Sequence, residues 1–225
     1  MRLNRRDCCA LLLGAPWVAR AQPRTPWLAE DFERLDAQRW SAEIAPKSPA
    51  RVVVEGGRLL MDTAGGVTVW LQQPLPSEVF IEYRRRVVLE GGPNDRLSDL
   101  NQFWMASDPS RPGPIRRDGV FESYDDLSLY YLGVGGNSNS TTRFRKYQGG
   151  QRPLLQERLG PAWMLQPNHD YLVQTEVSQG RSRVWVDGQL VVDYLDPQPL
   201  TQGYFGLRST WSRQQVWDFK VYRLG

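Results

Sequence analysis

Most side chains able to do chemistry in this 225-residue chain fall in two runs, DLNQFWMASD from Asp99 to Asp108 and DDLSLYYLGVGGNSNSTTRFRKY from Asp125 to Tyr147. Both alternate in the manner of strands with one buried face. In the first, Asn101, Phe103 and Met105 share a face, and Gln102 and Trp104 share the opposite one. In the second, Leu127, Leu129 and Tyr131 oppose Asp126, Ser128 and Tyr130, and further on Arg143 and Arg145 oppose Phe144. The faces turned from the core would carry amides, aromatics, a carboxylate and guanidiniums. That inventory suits a sugar, and the arginines suit an acidic one, because guanidinium matches carboxylate in bidentate geometry.

Simple alternation predicts an open sheet face bearing Trp70, Gln102, Trp104, Asp126, Ser128, Tyr130, Arg143, Arg145 and Arg208, an assignment that one bulge would invert in part. Trp70 and Trp104 offer flat apolar surfaces for pyranose rings, or else core packing. The three arginines read as carboxylate ligands, or as a ladder paired with Asp126 or Glu122. A polysaccharide lyase must neutralise a uronate carboxylate and move a proton. Arg143, Arg145, Arg208, Asn101 and Gln102 suit the first task, and Tyr130 or Tyr147 the second. Tyrosine titrates near 10 when unperturbed, so nearby guanidiniums would have to lower it. The catalytic expectation is therefore Tyr130 acting with Arg143, while Gln102 and Trp104 position the substrate. Glu122 with Asp125 or Asp126 is the alternative carboxylate pair. His169, in QPNHDY before a strand, reads as a surface loop residue. Asn137 to Ser140 reads either as a polar loop contacting hydroxyls or as a solvated turn. Asp31 and Asp218 are the candidates for a structural calcium, which needs several oxygen ligands; no other cofactor is expected.

The elements that must hold these residues are strands. Strand signals recur every ~8–15 residues, and no segment sustains a helical period. They fall at 29–35, 40–44, 51–55, 58–62, 67–72, 79–89, 100–106, 127–134, 141–147 and 153–158, then at 171–178, 182–186, 189–194, 204–210 and 216–224. Asp187-Gly188 is a two-residue hairpin turn whose residues tolerate positive φ. So many short strands with turn chemistry between them predict an all-β sandwich or jelly roll. The loops 90–97, 107–119 and 135–140 would rim a cleft on its concave face.

The first 21 residues read as an export signal. Arg2, Arg5 and Arg6 precede a short apolar run, Cys8 to Val18, and Ala19-Arg20-Ala21 supplies a small-residue cleavage site. That run is too short for a membrane span. Cleavage after Ala21 would turn the net charge of +3 into formal neutrality, so the basic balance carries no case for nucleic acid. It would also remove both cysteines. With His169 then the sole histidine, a His/Cys zinc site is excluded and any Ser-His-Asp triad must use it. Residues 22–225 read as one domain, expected to be a monomer in the periplasm or outside the cell.

The order of the C-terminal strands, with the VDG hairpin, DPQPL, GYFGLRSTW and WDFKVYRL, resembles the end of concanavalin A-like lectin/glucanase jelly rolls. GGPNDRLSDLNQFWMASDP, YDDLSLYYLGVGGNSNSTTRFRKY and YFGLRSTWS resemble a family of exported bacterial proteins known as a domain of unknown function, with distant similarity to YesU-like proteins of rhamnogalacturonan-utilisation clusters. The resemblance runs from about Glu30 to Leu224. It implies a concanavalin A-like fold and a carbohydrate context. Retaining glucanases of that fold carry an E-x-D-x-x-E pair, whereas here Glu122-Ser-Tyr-Asp125-Asp126 has no second glutamate. Alginate-lyase signatures of jelly-roll enzymes are absent too. The expectation is a carbohydrate-active protein on a uronate-containing, pectin-like poly- or oligosaccharide, as a lyase. A glycoside hydrolase and a non-catalytic lectin-like protein are the alternatives.

Overall fold

A computed structural model describes residues 25–225, so the export signal expected at 1–21 lies outside the described residues. The strands are β1 (Leu28–Glu30), β2 (Trp40–Ile44), β3 (Ala50–Glu55), β4 (Arg58–Leu71), β5 (Val79–Val87), β6 (Leu100–Ser107) and β7 (Ser128–Gly135), followed by β8 (Thr141–Tyr147), β9 (Leu154–Arg158), β10 (Tyr171–Ser178), β11 (Arg181–Val186), β12 (Gln189–Leu195) and β13 (Tyr204–Arg223). All neighbouring pairs are antiparallel. Among the described residues no helix is long and apolar enough to cross a membrane.

Two long strands make the sandwich. The first half of β13 lies between β4 and β6, and its second half lies between β4 and β5. One layer therefore runs β2-β4-β13-β6-β7-β8-β9. The other runs from β3 through the first half of β4 and the second half of β13 to β5, β10, β11 and β12. The sequence expectation split each long strand in two, at 62/67 and 210/216. These are the places where the chain leaves one layer for the other: the register jumps between Thr210 and Ser212, and Trp211 takes a φ of 43°. Turn chemistry matches the sequence, since Asp187 and Gly188 both have positive φ, 50° and 75°.

Between the layers lies an apolar core. Val67, Val69, Leu71, Leu132, Val134, Phe144, Phe205 and Leu207 of the first layer pack on Val79, Ile81, Tyr83, Val173, Val184, Val192, Val216, Phe219 and Val221 of the second. Burying each such aliphatic or aromatic side chain contributes about 1.5–3 kcal/mol.

Gln102, Trp104 and Tyr130 belong to this core, which corrects the face expected for them. The Gln102 amide accepts from the Tyr83 hydroxyl at 2.9 Å and donates to Thr175 Oγ1 at 2.8 Å. The Trp104 ring stacks on Phe144 and its Nε1 donates to Ser182 Oγ at 3.2 Å. Tyr130 donates its hydroxyl to Asp196 Oδ2 at 2.5 Å and accepts from Leu200 N at 3.1 Å, while Lys146 Nζ lies 2.8 Å from the same carboxylate. Each side chain looks functional by type, yet each has found an internal partner, as buried polar groups must.

A second, smaller core forms on the outer face of the first layer. There Trp70, Phe103 and Leu129 are covered by Ile115, Tyr124 and Leu127 of the segment between β6 and β7. This loop is folded onto the sheet by Glu43 of β2, whose buried carboxylate accepts from Trp70 Nε1 (2.8 Å), Tyr124 Oη (2.7 Å) and Arg117 N (2.5 Å).

Candidate functional site

The part of the concave face that the loop leaves open is a cleft of about 670 Å³. Strand register sets its floor as two rows of side chains running across the sheet. One row is Thr68, Arg208, Asn101, Gly133, Arg143 and Glu157 on β4, β13, β6, β7, β8 and β9. The next is Trp70, Gly206, Phe103, Tyr131, Arg145 and Leu154. The loop covers Trp70 and Phe103, so only the Tyr131–Arg145 half of that row is open. Val120, Phe121 and Glu122 form one wall; Asn137 and Ser138, from the β7–β8 turn, form another. This turn is a run of left-handed residues, Asn137, Ser138 and Asn139 with φ of 51°, 57° and 61°. It is pinned by paired hydrogen bonds between the Asn139 amide and the Leu165 backbone.

Five arginines line the cleft, Arg96, Arg143, Arg145, Arg152 and Arg208, against the carboxylates Asp99 and Glu122. Arg96 pairs with Asp99, Arg143 with Glu157 at 2.6 Å and Arg152 with Asp125 at 2.8 Å. The described hydrogen bonds of the other two go to neutral acceptors. Arg145 Nη1 donates to the Arg152 carbonyl at 2.8 Å. Arg208, only 1% exposed, donates Nη1 to Thr68 Oγ1 (3.0 Å) and the Gly119 carbonyl (3.1 Å), with Nη2 3.4 Å from Thr210 Oγ1. Its guanidinium carbon lies 4.7 Å from the centre of the Phe121 ring and 5.2 Å from that of Tyr124. Burial pulls the Arg208 pKa below its ordinary value, but a guanidinium stays charged in a protein. It is thus a buried cation facing the cleft whose hydrogen bonds all go to neutral groups, with Asp99 acting on it only through space.

Polar groups beside it are also unpaired. Asn101 Oδ1 is buried without a hydrogen-bond partner, as is the Tyr147 hydroxyl. Tyr131 stands over Gly133, where any Cβ would run into its hydroxyl and approach Asn101 Oδ1 to 3.0 Å. Burial, reinforced by the Asp99 charge, pushes the Tyr131 pKa well above the ordinary range. Burial also raises Tyr147, with the Arg152 guanidinium opposing it. Both phenols are therefore held protonated, as hydrogen-bond donors.

Of the residues expected at the site, Asn101, Glu122, Arg143, Arg145 and Arg208 line the cleft. Trp70 sits on the same face but is buried under the loop. Asp126 lies outside, paired with Arg117 Nη2 at 3.0 Å, and Ser128 is opposite Ser107 at the strand end. Tyr131 takes the place expected of Tyr130, and its position opposite Arg145 was fixed by pairing register alone. Arg96 and Arg152 come from loops with no periodic signal, and Asp99 stands at the head of the alternating run, just before β6. His169 is exposed, with Nε2 2.6 Å from Asp187 Oδ2, beside a separate cavity of about 240 Å³. Asp31 and Asp218, the residues expected for calcium, both have protein partners. Asp31 accepts from Glu33 N in its own loop and Asp218 pairs with Lys220. Among the described residues no group of three or more His, Cys, Asp or Glu side chains is arranged to hold a metal.

Fold and cleft together define a galectin- and concanavalin A-like jelly roll with an arginine-lined concave face. The chain belongs to the family described as Domain of unknown function (DUF6250), whose model matches residues 61–219. No curated protein matches the sequence. Among solved structures it is similar to a Bacillus subtilis protein of unknown function with a galectin-like fold, at 16% identity and a TM-score of 0.66, covering 87% of this chain and 98% of that one. It is also similar to the carbohydrate-binding module CBM66 of Bacillus subtilis, at 14% identity and TM-score 0.56 over 82% of this chain and 96% of that one. A prokaryotic β-1,3-1,4-glucanase (lichenase) from a mouse hindgut metagenome superposes at 12% identity and TM-score 0.58, over 87% and 98% of the two chains. At these identities the likeness is one of fold.

Proposed function

We propose that the cleft binds an acidic, uronate-containing oligosaccharide and that the sugar carboxylate sits against Arg208. The carrying observation is Arg208 itself, a buried guanidinium with neutral hydrogen-bond partners at the floor of the cleft. A charge buried without its counter-charge is costly, and a ligand carboxylate relieves that cost. Arg145 adds a second cation without a carboxylate, Asn101 Oδ1 an acceptor for a sugar hydroxyl, and Tyr131 and Tyr147 donors. A carbohydrate-binding module and a glucanase among the fold neighbours support a carbohydrate ligand. Export through removal of residues 1–21 would deliver the protein to where such polymers occur.

Binding ranks ahead of catalysis because the cleft presents no free pair of carboxylates. A retaining hydrolase needs two carboxyl groups about 5–5.5 Å apart, and Asp99 is engaged by Arg96 and Asn101, leaving Glu122 alone. Lyase action is the second reading, favoured by the Tyr131 hydroxyl opposite Arg145. In it the Glu122 carboxylate takes the C5 proton, the C4–O bond breaks to leave a C4=C5 double bond, and the protonated Tyr131 hydroxyl gives its proton to the departing oxygen.

Calorimetry with trigalacturonic acid and with a neutral trisaccharide tests the proposal. The acid should bind at least tenfold more tightly, and Arg145→Ala should weaken it by about 1.5–3 kcal/mol, the scale of a charged hydrogen bond. Equal affinity for the two sugars would overturn it. A rise in ultraviolet absorbance on mixing with pectic polymers, from the unsaturated uronate, would promote the lyase reading above simple binding.

A further inference from the structure

We infer that Trp211 is a stacking platform at the mouth of the cleft, so that the site reads at least two consecutive sugar rings. This rests on the acidic-glycan reading of the same cleft and extends it along the chain of the ligand.

Three observations converge on Trp211. It is 52% exposed, whereas Trp40, Trp70 and Trp104 are fully buried. Leaving an indole in water forfeits burial free energy, so the exposure calls for a reason. Its backbone is left-handed, φ 43°, an outlier for a bulky residue that the fold must hold in place. The register jump at this point, from Thr210 opposite Gly66 to Ser212 opposite Thr63, swings the residue out of the ladder.

The restraint comes from the cleft itself. Arg96 donates Nε to the Trp211 carbonyl at 2.8 Å and Nη2 to the Thr210 carbonyl at 2.7 Å, and its guanidinium carbon lies 5.1 Å from the centre of the indole. Ser212 Oγ in turn donates to the Arg96 carbonyl at 3.0 Å. Arg96 and Thr210 both line the cleft, so the ring is fixed to its rim with one face against a cation. The remaining exposed surface is flat and apolar, on a backbone tied down by Arg96. That suits the C–H face of a pyranose. From Arg208 to Trp211 is three residues, at most about 10 Å of extended chain and less across the bulge, within the reach of two linked sugar rings. A carboxylate held at Arg208 therefore leaves the neighbouring ring over Trp211.

Calorimetry with galacturonic acid, trigalacturonic acid and a neutral trisaccharide, on wild type, Trp211→Ala and Trp211→Phe, tests this. Trp211→Ala should weaken trigalacturonic acid about five- to tenfold, the scale of one aromatic contact. It should leave galacturonic acid and the melting temperature unchanged, and Trp211→Phe should restore most of the affinity. Unchanged trigalacturonic acid binding in Trp211→Ala removes the platform and leaves the acidic reading standing. A wild type that prefers the neutral trisaccharide, and loses it in Trp211→Ala, keeps the platform and removes the acidic reading. A wild type that binds none of the three sugars removes both.

Discussion

Two arginines lie buried in or under the concave sheet, and their partners separate their roles. Arg85 donates Nε to Gln214 Oε1, Nη1 to the Asn101 carbonyl and Nη2 to the Arg208 carbonyl, tying β5, β6 and β13 together from the core side. Arg208 points the other way, into the cleft. The same contrast distinguishes neighbours on β7. Tyr130 is a core hydrogen-bonding residue, so Tyr130→Phe should lower stability by about 1–3 kcal/mol through the unpartnered Asp196 and Leu200 groups it leaves. It should leave affinity for trigalacturonic acid unchanged; denaturant melts and calorimetry read the two effects separately. Gly133→Ala should do the reverse. Gly133 is without a positive φ, so alanine fits the backbone, but its Cβ would displace the Tyr131 hydroxyl beside Asn101. A fall in affinity with a small change in melting temperature is expected, and unaltered binding would show that Tyr131 takes no part.

At the scale of elements, the loop between β6 and β7 decides how much of the concave face a ligand can reach. Its fastening is electrostatic as well as apolar. Arg117 bonds Asp108 Oδ2 at 2.7 Å, Asp126 Oδ1 at 3.0 Å and the Ser123 carbonyl at 2.9 Å, while its backbone N–H is held by Glu43. The hydrogen bond from Arg117, with help from Ser110, lowers the Asp108 carboxyl from 3.8 to about 2. A depressed acid contributes stability above its unfolded pKa and loses it as pH falls through the folded one. The Arg117–Asp108 contribution is thus complete above about pH 4 and fades toward pH 2. Wild type should lose more thermal stability across that interval than Asp108→Asn does, and parallel curves would refute the assignment. The elements themselves were largely legible in the sequence: β2, β8 and β10 fall where alternation put them. Which face of β6 and β7 is open was not. Both faces of these strands carry amides and aromatics, so hydrophobic alternation cannot choose between Gln102 and Asn101 or between Tyr130 and Tyr131. Partners distant in sequence, Tyr83, Thr175 and Asp196, make the choice.

For the molecule as a whole, the jelly roll followed from strand number, turn residues and the C-terminal resemblance, but the charge distribution did not. Alternation put Arg143, Arg145 and Arg208 on one face and left open whether they were ligand-binding or paired. Only the contacts show that Arg143 has Glu157 while the described hydrogen bonds of Arg145 and Arg208 go to neutral groups. Removal of residues 1–21 would leave formally equal numbers of acidic and basic side chains, so the proposed preference for an anionic glycan would have to arise locally, in the cleft, rather than from net charge. Screening acts over a Debye length of about 10 Å at 0.1 M salt and is weak for buried pairs. Affinity for trigalacturonic acid should therefore fall by only a few-fold when salt is raised from ~0.05 to ~0.5 M. The partly exposed Arg145 should carry most of that change and Arg208 little. Arg145→Ala should accordingly flatten the salt dependence, and a neutral trisaccharide should show none. A steep decline that persists in Arg145→Ala would mean that the glycan is held by the protein's outer surface rather than by the floor of the cleft.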